Sequence, residues 1–89
     1  MIQQTITISN KLGLHARASA KLSKLAGSFP CEIWLARGSR RVNAKSIMGV
    51  MMLAAGIGTD VLLETSGEQE QDAMDALVAL FNDKFGEGE

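Results

Sequence analysis

The chain has 89 residues, 46% of them hydrophobic and 21% charged, with a formal net charge of −1. A chain of this length buries only about 60–65% of its unfolded surface, which leaves room for one core and no deep catalytic cavern. Near-neutral charge with three Phe, one Trp and no Tyr argues against a nucleic-acid binder, and one Cys with one His is too few for a structural metal site.

The first segment alternates Ile2, Ile6 and Ile8 with Gln3, Thr5 and Thr7, the period of a half-buried strand. The stretch "NKLG" turns the chain. Ala18, Leu22, Leu25 and Phe29 then follow helical spacing, and Gly27 supplies a stop. Cys31, Ile33 and Leu35 alternate with Glu32, Trp34 and Ala36 in a second strand. "RGSR" makes a hairpin, and Val42 and Ala44 carry a short third strand. "AKSIMGVMMLAAG" reads as a short helix capped by Ser46 and ended by Gly56, followed by a strand over 61–65. Met74, Leu77, Val78, Phe81 and Phe85 share one stripe of a last helix, introduced by the capping-type run Ser66-Gly67-Glu68-Gln69. Residues 86–89 are expected to fray.

The order βαββαβα, without repeat or linker, predicts one α+β domain over 1–89, an antiparallel sheet covered by helices on one face. The N-terminal "MIQQTITIS" reads as a strand and not as a signal peptide. The longest apolar run, Ile47 to Ile57, contains Gly49 and Gly56 and is too short to cross a bilayer. Cys31 has no partner for an intrachain disulfide, which fits a reducing compartment. A cytoplasmic monomer without metal or cofactor is expected, with no nucleic-acid partner and no membrane insertion.

The single histidine, His15 in "KLGLHARASAKL", stands where a helix N-cap is expected. Most lone histidines are surface or satisfied core residues. Ser, Thr, Asp and Asn cap far better, so a histidine here calls for a chemical reason. The first N–H groups of the helix, from Ala16, Arg17 and Ala18, lack intrahelical partners and favour an anion. Arg17 adds a guanidinium fork that matches phosphate oxygens. Imidazole titrates near neutrality and serves as an uncharged nucleophile. Nucleophile, amides and arginine together suit reversible phosphorylation of His15.

"LGLHARASAKL" together with "AKSIMGVMMLAAGIG" strongly resembles the HPr family, the histidine-containing phosphocarriers of the bacterial phosphoenolpyruvate-dependent phosphotransferase system. The resemblance runs end to end, in length, element order and the spacing of His15 and Ser46. It implies an open-faced β-sandwich, four antiparallel strands with three helices on one side. It also implies that His15 is phosphorylated on Nδ1 by enzyme I, that Arg17 stabilises the phosphoryl group, and that IIA components receive it. Such a protein is a phosphoryl carrier with a covalent phosphohistidine and not a free-standing catalyst. Ser46 matches the serine modified by an HPr kinase/phosphorylase in many bacteria, although a serine there is also an ordinary helix cap. Where the family usually reads His-Ala-Arg-Pro, this chain has Ala18 in the proline position.

Arg17, Lys21, Lys24 and Ser28 form a stripe on the first helix that is basic in its first three members. Beside it, Ile47, Val50 and Met51 are expected to face the core, and Met48 and Met52 the solvent. Ala20, Lys21, Lys24, Ile47, Met48, Gly49, Met51 and Met52 make up the candidate docking surface, basic and soft enough for acidic partners. Two other readings stand beside a carrier for sugar uptake. One is the nitrogen-related paralogue of the family; the other is a binding module acting through Ser46, with His15 idle.

Overall fold

The computed structural model describes residues 1–87. Its elements are β1 (Ile2–Thr7), α1 (Ala16–Gly27), β2 (Glu32–Arg37), β3 (Arg40–Asn43), α2 (Ile47–Met52), β4 (Asp60–Ser66), α3 (Glu70–Asn82) and a 3-10 turn, Lys84–Gly86. The four strands form one antiparallel sheet in the order β1-β4-β2-β3, with helices on one face as the element order predicts, the open-faced sandwich that the resemblance implies.

Register explains the two faces. Ile6 lies opposite Val61, and Leu63 opposite Leu35, so the buried positions of three strands line up beneath the helices. From the helices, Ala18, Leu22, Ala26, Val50, Ala73, Met74, Leu77 and Phe81 close the same core. The outer face is not uniformly polar. Trp34 is half-buried there, with the Arg41 guanidinium 4.1 Å from its ring centre and Arg41 also 3.4 Å from Glu64.

Several local expectations change. The α2 helix stops at Met52, well short of Gly56, because Ala54 adopts a left-handed backbone with φ 52°. Ile47 and Met51 are exposed, and only Val50 of α2 is buried. Six residues make under two turns, too little for periodicity to define a face; Leu53 and Ala55, just past the helix, do the burying instead. In α1, Ser19 and Ser23 are buried, while Leu25 is only partly so.

The start of α3 also differs. Gln69 is the N-cap in a left-handed conformation with no side-chain bond, and the Glu70 carboxylate accepts the Gly67 N–H at 3.0 Å. Phe85 lies beyond α3, in the 3-10 turn, yet is buried edge-on against Phe81. Of the tail expected to fray, Gly86 belongs to that turn and Glu87 touches His15; positions 88 and 89 lie outside the described residues.

Candidate functional site

Two glycine-dependent features place the loop that carries His15. Gly13 has φ +65°, and a Cβ there would lie 2.5 Å from the Ala55 carbonyl oxygen, so only glycine lets the loop approach so closely. Leu14 N–H then donates to Ala55 O at 2.9 Å, pinning the entry of α1 to the segment that follows α2. That segment is itself held. Arg37 donates to Leu53 O at 2.9 Å and Ala54 O at 3.0 Å, and Arg40 donates to Met52 O at 2.6 Å. These arginines satisfy carbonyls that the abrupt end of α2 leaves open. Read as a simple hairpin, "RGSR" gives no sign of this second task.

His15 is the N-cap of α1, and its own ring does the capping. Arg17 N–H donates to Nδ1 at 3.2 Å, while Nε2 lies 2.5 Å from Glu87 Oε2. These partners decide the tautomer. An amide N–H only donates, so Nδ1 carries a lone pair, and the carboxylate takes the Nε2 hydrogen. The basic nitrogen of the ring is therefore Nδ1. The His15 side chain is 27% exposed, so the ring is open to solvent.

Glu87 is held in turn. Asn10, fully buried, uses one amide hydrogen on Gly13 O at 2.8 Å and the other on Glu87 Oε1 at 3.1 Å. Burial raises the Glu87 carboxyl, but the bonds from Asn10 and His15, with the charges of His15 and Lys21, outweigh it. The group is held below its ordinary value.

An open cavity of about 650 Å³ is lined by Lys11, Leu12, His15, Ala16, Arg17, Gly86 and Glu87. Both Ala16 and Arg17 are exposed, and the Arg17 side chain has no partner among the described residues. Ala18 is fully buried, so its N–H does not reach this cavity; the proposed amide set shrinks to Ala16 and Arg17. Lys21 and Lys24 line a separate depression with Leu25, Ser28 and Leu80, and Lys21 Nζ also donates to Phe85 O at 2.6 Å. Ala20 is half-buried.

Ser46 caps α2, its Oγ accepting the Gly49 N–H at 3.1 Å. Gly49 is half-buried against Ser46 and Val42 and offers little surface. The apolar patch is larger than predicted: Ile47, Met48, Met51 and Met52 are all exposed, as is Leu12 at the cavity rim. Since α2 packs on α1, this patch adjoins the helix that carries His15. Sequence reasoning missed Asn10 and Glu87, because neither stands within a motif; only the closed fold brings them to His15.

The family model described as "PTS HPr component phosphorylation site" matches residues 2–83. The chain is 65% identical over 89 residues to the phosphocarrier protein HPr of Cupriavidus necator, covering 100% of both. It is 42% identical to the phosphocarrier protein NPr of Shewanella violacea, covering 97% of this chain and 94% of that one. The crystal structure of HPr-C-His from Thermoanaerobacter tengcongensis superposes with a TM-score of 0.94 at 46% identity, covering 98% of each chain.

Proposed function

The chain belongs to the HPr family of phosphocarrier proteins, and on that premise we propose that it accepts a phosphoryl group on Nδ1 of His15 from enzyme I and hands it to a IIA component. The observation that carries this reading is the pairing at the ring: Nδ1 bears the lone pair beside Arg17, while Nε2 is engaged by Glu87. The Nδ1 lone pair attacks phosphorus, the bond from phosphorus to the donor breaks, and the electron pair leaves with the donor. Displaced from Nδ1, the Arg17 N–H is free to bond a phosphoryl oxygen, and the guanidinium supplies charge to the same group. The reading uses groups of one chain, and a monomer working in the cytoplasm is the state we propose for it.

Of the two branches of the family, sugar uptake is the better supported. Identity is 65% to an HPr against 42% to an NPr, and Ser46 stands at the exposed mouth of α2, where a kinase can reach it. The test is incubation with enzyme I and phosphoenolpyruvate, followed by site mapping. One acid-labile, base-stable phosphoryl group on His15 is expected, and none in His15→Asn, whose asparagine preserves the cap. Labelling that persists in the variant would refute the assignment.

A further inference from the structure

We propose that Glu87 is a positioning residue for phosphoryl transfer, holding the Nε2–H of His15 while Nδ1 reacts and balancing the charge of the ring once it is phosphorylated. This rests on the reading of His15 as acceptor and adds a residue that neither motif contains.

The two oxygens of Glu87 have separate partners, Oε1 facing Asn10 and Oε2 facing His15. The chain bends sharply to bring them there. Lys84 and Phe85 both take left-handed backbone, at φ 54° and 56°, a conformation that costs a residue other than glycine. Phe85 is anchored by burial against Phe81, with ring centres 5.1 Å apart, and its carbonyl is held by Lys21.

The chemistry gives the carboxylate its task. When Nδ1 bonds phosphorus no proton leaves the ring, so the product is a cationic imidazolium that retains Nε2–H. On onward transfer the N–P bond breaks, its electron pair returns to Nδ1, and neutral imidazole departs. Loss of the Nε2 proton would make imidazolate the leaving group, which is far poorer. Lys11 and Arg17 line the cavity and Lys21 approaches Glu87; all three cations oppose a positive ring. Glu87 is the one carboxylate lining the cavity among the described residues, and it keeps the proton in place.

The test phosphorylates wild type, Glu87→Gln and Glu87→Asp with enzyme I and phosphoenolpyruvate, then follows hydrolysis of each isolated phosphoprotein against pH. Glutamine has the same shape but a single acceptor oxygen, so it loses the charge and can accept from Asn10 or from the Nε2–H of His15 but not from both. The rate falls at high pH as the phosphorylated ring deprotonates. In Glu87→Gln that descending limb should move about one unit lower, and Glu87→Asp should restore part of the shift. Superimposable limbs in wild type and Glu87→Gln, or a uniform loss of rate without movement, would overturn the proposal. Label on His15 of wild type with no shift in Glu87→Gln refutes this inference alone; wild type with no label on His15 removes the acceptor reading as well.

Discussion

His15 does two jobs that compete. As N-cap it spends its Nδ1 lone pair on the Arg17 N–H, and as the nucleophile we propose it must release that bond. The bond is long at 3.2 Å, and a side chain other than Ser, Thr, Asp or Asn caps weakly, so little stability is lost when the lone pair turns to phosphorus. Arg17 meets the charge that then arrives. Arg17→Ala should leave the melting temperature nearly unchanged, because the side chain is exposed and has no partner among the described residues. It should slow phosphoryl transfer by about 10- to 100-fold through loss of a charge-assisted contact. Single-turnover kinetics with phosphorylated enzyme I check this, and equal rates would contradict it. The place of His15 and Arg17 at the mouth of α1 was legible in the sequence because it is local to one helix turn. Asn10 and Glu87 were not, since 77 positions separate them and only the closed fold joins them.

At the scale of elements, α2 shows why a short helix resists reading from periodicity. Its cap, Ser46, was evident from residue type, and the structure places the Ser46 Oγ on the Gly49 N–H as such a cap requires. Its faces were not evident, because its packing comes from Leu53 and Ala55 and its end from arginines of another hairpin. The outcome is an exposed apolar patch flanked by an exposed serine. Phosphorylation of Ser46 would add about −1.5 to −2 charges next to Lys45 and Ile47, its neighbours in the chain. Ser46→Asp keeps a good cap, so thermal stability should be unchanged or slightly raised. The same variant should slow His15 phosphorylation by weakening association with enzyme I, and added salt should narrow the gap as exposed charges are screened. Titration calorimetry at low salt that gave equal association constants would rule the mechanism out.

For the whole molecule, the strand alternation and helix spacing carried the topology, because burial on one sheet face is written at period two and on helices at 3.6. The closures at the chain's two ends were hidden. Glu70 is held below the ordinary 4.5 by the Gly67 N–H first, and then by its bond to the N-terminal ammonium, which lies 3.3 Å away. Glu87 is lowered as well. A carboxyl whose folded pKa is depressed stabilises the fold above its unfolded pKa, and that contribution disappears as pH falls through the folded value. Stability should therefore be flat near neutrality and decline below about pH 4.5, in the window these two groups titrate. Urea unfolding across pH 3 to 7 reads it directly. Replacing both groups, in Glu70→Gln/Glu87→Gln, should flatten the slope, and an unchanged slope would show that other carboxyls carry it.

The most direct measurement is nitrogen-15 and phosphorus-31 NMR of the protein after treatment with enzyme I and phosphoenolpyruvate, because it identifies the atom that bonds phosphorus. With Nδ1 as the lone-pair nitrogen and Nε2 bound to Glu87, phosphorus coupling should appear on Nδ1 of His15 while Nε2 keeps its proton. Coupling to Nε2, or a phosphoryl group on any other residue, would contradict the assignment.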